Sequence, residues 1–207
     1  MLRKFSTLLG VITSVTLLLI STLFYPGGSK YDPNSTGFDW KENYLSNLFG
    51  EKAVNGLDNP SRLWAIGGMF FLCASFAVVF IRFSRKITAS SAAKIIKYLG
   101  ISSMVFAFLV VTPLHDIMIT ISVTCVLVCM FYITVFLFKS KLFPMKILSV
   151  VCLLVSYTSI YMYYTRSYLE FLPIMQKIEL LIAITWTLCL EYFTTIADFQ
   201  LVRTSRS

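Results

Sequence analysis

Residues 101–138 read ISSMVFAFLVVTPLHDIMITISVTCVLVCMFYITVFLF, an apolar run broken once, at Val111-Thr112-Pro113-Leu114-His115-Asp116. A helix rises about 1.5 Å per residue and a hydrocarbon core is about 30 Å thick, so the stretch after the break suffices to cross a membrane, and the stretch before it, extended back to Ile95, makes a shorter span. Pro113 has no backbone N–H and ends the helix before it. The run therefore predicts two membrane helices, 95–111 and 117–138, joined by a turn that carries the only histidine of the chain beside a carboxylate. Thr112 is positioned to cap the second helix. Asp116 falls in its first turn, where the helix dipole favours a negative charge.

The rest of the 207 residues agrees with this reading. The chain is 57% hydrophobic and only 14% charged, more apolar surface than a soluble domain of this size can hide, which makes it a polytopic membrane protein. The net charge of +8 could suggest nucleic acid, but the basic residues lie between apolar runs and form no basic face. No nucleic-acid partner is expected. The five cysteines, Cys73, Cys125, Cys129, Cys152 and Cys189, all fall inside apolar runs, as buried small hydrophobes do.

Outward from the central pair, the apolar pattern predicts further spans at 5–25, 63–81, 147–164 and 173–193. Asn59-Pro60 opens the second span as an N-cap followed by proline at the first helical position. The first span is read as retained, because no small-residue cleavage site precedes Pro26-Gly27-Gly28. The fold class is all-α: one six-helix transmembrane domain over 1–207, with no internal repeat. Within the long polar segment 26–62, Asp39 as N-cap, Glu42 three residues on and Gly50 as a stop predict a short interfacial helix over 39–49. Trp40, Tyr44, Leu45 and Leu48 share its apolar side. Asn43, Ser46, Asn47 and Gly50 form its polar stripe. With these spans, twelve of the 18 Lys and Arg residues fall on one side of the membrane. The expectation is a multi-pass protein of the plasma (inner) membrane, with both termini cytoplasmic and 26–62 outside.

That topology brings the His115 turn to the outer boundary, level with Tyr157, Tyr161, Tyr163, Tyr164 and Tyr168. Neighbouring helical residues diverge by about 100°, so a general-base His115 is expected to be oriented by Glu170, Glu179 or an acid of the first loop rather than by Asp116. Ser46 is the candidate hydroxyl nucleophile. The competing reading is that His115 and Asp116 cap and hydrate a tight turn. A zinc site usually draws on several His or Cys ligands and this chain has one histidine, so neither a metal nor another cofactor is expected. The tyrosines suit an aromatic belt or a cage for a lipid headgroup. Arg166, Lys177 and Lys41 suit a lipid phosphate or ordinary snorkelling. Asn34-Ser35-Thr36 fits a glycosylation sequon, and Glu191 near the end of the last span requires water or a partner.

Tyr25-Pro26-Gly27-Gly28, then Glu42-Asn43-Tyr44-Leu45-Ser46-Asn47-Leu48 with Gly50, then Asn59-Pro60, form a pattern that resembles an uncharacterised bacterial six-span membrane family related to the Frag/DRAM/Sfk group. In that family an Asn-x-x-Ser-Asp-Leu-Gly-like motif in the first outer loop precedes a second helix entered through an asparagine, and a polar turn with His or Asp follows the third helix. Asn43, Ser46, Leu48, Gly50 and Asn59 match, and His115 occupies the turn. Asn47 stands where an acid is common, and Phe49 is inserted before Gly50. The resemblance implies the six-span topology and supplies no activity.

Three functional readings follow. The leading one is a non-enzymatic membrane protein whose outer-facing groove, with Asn43, Ser46, Asn47, His115, Tyr161, Tyr164 and Arg166, binds a membrane lipid or a partner membrane protein. The alternative is a metal-independent enzyme acting on lipid headgroups, with His115 as base, Asp116 beside it, and Ser46 or a water as nucleophile. The third is a small-solute transporter.

Overall fold

Long apolar stretches leave the backbone no partner but itself in a membrane, and six of them form helices in the computed structural model, which describes residues 2–200. In chain order these are α1 (Leu2–Leu23), α2 (Ser61–Ser84), α3 (Ser90–Leu109), α4 (His115–Lys139), α5 (Phe143–Thr165) and α6 (Leu172–Tyr192), with a short α7 (Ala197–Gln200) after them. Each of the six is long and apolar enough to cross a membrane, and no strand occurs among the described residues. The chain is an all-α integral membrane protein. The side chains of Arg3 and Lys4, and all of Arg203 and Arg206, which entered the charge count above, lie outside the described residues.

Two boundaries depart from the apolar pattern for a common reason. α3 begins at Ser90 rather than near 95, and α5 at Phe143 rather than near 147. Lys94 and Lys97 extend α3 as polar end turns, and Pro144 sits in the first turn of α5, where its missing N–H costs nothing. Hydropathy detects the membrane-buried part of a helix, not its whole length.

Residue contacts divide the chain into two units. The first comprises Met1–Leu8, Cys73–Leu154 and Ile182–Ser207, and the second Leu9–Leu72 and Val155–Leu181.

In the first unit small residues let helices approach. A Cβ on Gly100 of α3 would stand 2.5 Å from Phe80 Cγ of α2, so that contact requires glycine. Ser122 Oγ of α4 donates to Ser103 O of α3 at 2.9 Å, and Trp186 Nε1 of α6 donates to Ser149 Oγ of α5 at 2.7 Å. Such interhelical bonds satisfy polar groups where lipid cannot. α3 ends in a tightened turn, Thr112 N donating to Leu109 O at 3.0 Å, and Pro113 follows. Thr112 Oγ1 donates to Leu109 O at 2.7 Å. Thr112 thus finishes α3 more than it caps α4, whose N-cap residue Leu114 makes no side-chain bond.

The second unit holds α1 against the first half of α2. Gly68 brings α2 so near α1 that a Cβ there would lie 3.1 Å from Ser14 O, and Ser21 Oγ donates to Ser61 O at 3.0 Å. The segment between these helices is ordered by its own polar groups. Buried Tyr25 accepts from Val54 N at 3.1 Å through its hydroxyl, and burial pushes that phenol's pKa up. Gly28 has φ +84, and any Cβ on it would strike the Asn55 backbone. Asn59 is buried, and its Nδ2 faces the carbonyls of Asn47, Leu48 and Gly50 at 3.3, 3.3 and 2.9 Å. Its Oδ1 accepts from Ser61 N at 3.2 Å, so one side chain ties the loop to the start of α2, the capping role its sequence position suggests.

The predicted 39–49 helix is shorter. Asp39 Oδ1 accepts from Lys41 N and Glu42 N at 2.7 and 2.9 Å, the bonds of a helix start, and Asn43 N reaches Asp39 O at 2.9 Å. The turn then stops, and only a 3-10 helix, Leu45–Phe49, follows. Side chains are the cause: Asn47 Oδ1 accepts from Tyr44 N at 2.7 Å and Gln176 Oε1 from Leu45 N at 2.8 Å, taking the amides that would continue the helix, while Asn43 Oδ1 accepts from Asp39 N at 2.8 Å at its start.

Candidate functional site

The second unit carries Asn43, Ser46, Asn47, Tyr161, Tyr164 and Arg166. His115 and Asp116 belong to the first unit.

Asn43 is 1% exposed, and its Nδ2 donates to Gly28 O at 2.7 Å. With Oδ1 taken by Asp39 N, this amide is a structural brace and offers no face to a ligand. Asn47 spends its Oδ1 on Tyr44 N. Ser46 is partly buried on the 3-10 helix. The expected polar stripe is therefore mostly turned to holding the loop.

The loop is fixed in turn onto α6. Lys177 Nζ donates to Asn43 O at 2.7 Å and Pro173 O at 2.9 Å, and lies 5.6 Å from the Phe38 ring centroid, a cation–π distance. The Asp39 carboxylate stabilises the ammonium electrostatically. Leu45 N donates to Gln176 Oε1 at 2.8 Å. Lys177 thus has a defined set of protein partners and is not a snorkelling headgroup.

The end of α5 differs. Tyr157, Tyr161 and Tyr164, spaced for one helix face, are all exposed, and Tyr163 and Tyr164 form an edge-to-face pair at 5.2 Å. After Thr165 the backbone turns left-handed at Arg166 (φ 55) and again at Tyr168 (φ 57). An L-residue there costs about 1 kcal/mol or more, and glycine is the usual occupant just beyond a helix end. Arg166 and Tyr168 are exposed, and Arg166 makes no ion pair among the described residues. Strained backbone thus carries an exposed arginine, close in sequence to exposed tyrosines.

In the first unit, His115 Nδ1 lies 3.0 Å from Asp116 Oδ1, so the neighbouring acid, not a distant one, orients the ring. The alternation argument missed this because it treats side chains as radial rods, whereas an imidazole and a carboxylate at a helix start can bend toward each other. The carboxylate is open to solvent and the ring is about one-third exposed. A general base needs its second nitrogen free, and this geometry leaves Nε2 without a protein partner in the hydrogen bonds of the turn.

Glu191, read from the sequence as requiring water or a partner, has one in the same unit. Arg82 of α2 pairs with Glu191 of α6, and donates to Thr7 Oγ1 at 3.2 Å and Ser6 Oγ at 3.0 Å. Just beyond α2, Lys86 Nζ donates to the carbonyls of Leu190, Glu191 and Thr194 at 3.0, 3.1 and 2.9 Å, capping the end of α6. Burial pulls the Lys86 ammonium below its ordinary pKa, against the opposing pull of Glu191 and Asp198. Glu191 therefore has the partner its place in the last span requires.

No group of three or more His, Cys, Asp or Glu residues capable of holding a metal occurs among the described residues. No family model matches the chain, and neither a curated protein nor a solved structure matches it.

Proposed function

We propose that this integral membrane protein binds the headgroup of an anionic membrane lipid, without chemical turnover, at the exposed patch formed by Tyr161, Tyr164, Arg166 and Tyr168 on its outer face. The observation that carries the reading is the backbone at Arg166 and Tyr168, two non-glycine residues held left-handed with their side chains exposed. Local strain of this kind persists only where the surroundings enforce it, and it clusters at ligand-contacting positions. The chemistry fits: a guanidinium forms paired hydrogen bonds to phosphate, and tyrosine rings with polar tips sit at headgroup depth. The braced loop, with Asn43 and Asn47 holding its turns, is the scaffold of this unit rather than part of the recognition surface. A partner membrane protein is the competing occupant of the same surface.

The test is to reconstitute the purified full-length protein into nanodiscs of phosphatidylglycerol and phosphatidylcholine and count retained lipids by native mass spectrometry. The wild type retains phosphatidylglycerol selectively and Arg166→Gln loses that selectivity. Retention unchanged by Arg166→Gln, together with copurification of a stoichiometric membrane protein, would replace the lipid reading with the partner reading.

One observation favours a second reading. The His115 ring is oriented by Asp116, as an imidazole acting as a general base must be. In that case His115→Ala abolishes turnover of a lipid headgroup by the folded protein, whereas under the leading reading it leaves the membrane lipid composition of expressing cells unchanged.

A further inference from the structure

We infer that one end of the first unit, where the α2–α3 and α4–α5 connections lie, is a binding surface for a membrane lipid whose headgroup carries more than one phosphate. Arg85 before α3, Lys94 and Lys97 within it, and Lys139, Lys141 and Lys146 around the α4–α5 connection make no ion pair among the described residues. Arg85, Lys94, Lys139 and Lys141 are exposed. Packing inside the unit brings both connections to the same end. Ile96 O of α3 accepts from Cys129 Sγ of α4 at 3.5 Å and Ser103 O from Ser122 Oγ at 2.9 Å, an antiparallel register that sets Lys139 level with the connection before α3. The short α7 touches α4 and sets Phe199 edge-on against Phe83, near the end of α2, with ring centroids 5.4 Å apart. The Trp186 to Ser149 bond between α6 and α5 places Lys146 level with the end of α6, where Lys86 Nζ reaches Leu190 O.

The acids at this end are already engaged. Glu191 pairs with Arg82, and Asp198 accepts from Thr195 N and Oγ1 at 2.7 and 2.8 Å. The remaining bases therefore carry charge that nothing in the described part of the unit answers. A single phosphodiester brings one negative charge, too little for six cations, whereas a headgroup with several phosphates complements them. Clusters of about four to eight Lys and Arg residues beside membrane helices recognise such polyanionic lipids. Depth selects a lipid over a soluble acidic partner. Phe138 and Phe143 are exposed on either side of the Lys139–Lys141 turn, and Tyr98 is exposed next to Lys97. Lys139 Nζ lies 5.7 Å from the Phe136 ring centroid and Lys97 Nζ 5.2 Å from that of Tyr98. Exposed rings at the ends of membrane helices belong in the interface, so ammonium groups riding on them stand at phosphate depth. The positive-inside bias accounts for the side of the membrane on which such residues lie; it does not require that they stay unpaired and mounted on rings in the folded protein. The inference goes beyond the reading at Arg166 and rests on none of its residues.

The experiment uses the full-length protein in phosphatidylcholine nanodiscs that contain either cardiolipin, which has two phosphates, or phosphatidylglycerol, which has one, at equal total lipid charge, with retained lipids counted by native mass spectrometry. Both leaflets of a nanodisc have the same composition, so the orientation of insertion does not enter the reading. Wild type is expected to retain cardiolipin severalfold over phosphatidylglycerol. The Arg85→Gln/Lys94→Gln/Lys139→Gln/Lys141→Gln variant, checked for an unchanged elution profile and melting temperature, loses that preference, and Arg166→Gln keeps it. Should the fourfold variant fail to fold, Lys139→Gln/Lys141→Gln in the exposed turn lowers the preference and Lys139→Arg/Lys141→Arg, which keeps the charge, preserves it. Equal retention of the two lipids by wild type overturns the inference, because general attraction to negative charge then explains the bases. So does a preference that survives the glutamine variants, or one lost in Arg166→Gln instead, which would assign it to the other patch. Copurification of a soluble acidic protein together with equal retention of the two lipids would give the surface to that partner and overturn the lipid assignment.

Discussion

The two units of this chain treat charge differently. In the first, Arg82 pairs with Glu191, Lys86 caps the end of α6, and His115 faces Asp116, while Lys94 and Lys146 make no ion pair among the described residues. In the second, Arg62 pairs with Glu51 and Lys177 is matched to carbonyls and a ring, but Arg166, exposed at a strained turn, makes no ion pair among the described residues. Matched charges are a matter of architecture. Unmatched ones are where a ligand can contribute what the protein does not, and Arg166 is one that also sits on strained backbone, which is why the lipid proposal falls there.

The largest effect expected on this contrast comes from Arg82→Ala. It leaves Glu191, whose side chain is only 9% exposed, without its cation, and breaking such a pair costs about 3 kcal/mol. Thermal unfolding in detergent should show a drop of many degrees, with Glu191→Gln milder. A neutral Arg82→Ala would mean that the first unit's pairing is not architectural. Lys177→Met should come next, at about 1–2 kcal/mol, since it removes the donor to Asn43 O and the cation over Phe38. Hydrogen exchange should then quicken at the amides of the first loop, Asn43 and Leu45 above all. Loop amides that exchange as in wild type would show that Lys177 does not hold the loop.

Arg166→Gly sharpens the contrast from the other side. Glycine accepts φ 55 freely, so the substitution should stabilise the protein by about 1 kcal/mol while abolishing selective lipid retention. Stability and function moving in opposite directions is the signature of strain kept for a ligand. If both fall together, Arg166 is structural. The smallest effect is a pH dependence from Lys86. Burial holds its folded pKa below the ordinary 10.5, so between the two values the unfolded chain binds more protons and stability rises with pH, levelling off above 10.5. Lys86→Met should flatten that rise in the melting temperature between neutral and alkaline pH.

The helices were legible because membrane burial writes itself into long apolar runs, and Pro113 and Asn59-Pro60 punctuate them through backbone chemistry that acts locally. The misread 39–49 helix shows where local reasoning ends. Asp39 does start a turn, but the Asn47 and Gln176 side chains take the amides that would continue it, and nothing in the spacing says which backbone group such a side chain will choose. The site was legible in part. Tyr161, Tyr164 and Arg166 stand out by type and position, yet the left-handed backbone at Arg166 has no sequence signal, because the residue that ordinarily marks it is glycine. The pairing of Arg82 with Glu191 spans 109 positions. Hydropathy shows that both charges need partners without showing that they are each other's.

The most direct test of the lipid reading is the number of phosphatidylglycerol molecules retained by wild-type and Arg166→Gly protein from the same mixed nanodiscs, measured by native mass spectrometry with the melting temperature of each. The account predicts selective retention by wild type, its loss in Arg166→Gly, and a higher melting temperature for the variant. Equal retention by the two proteins would contradict it.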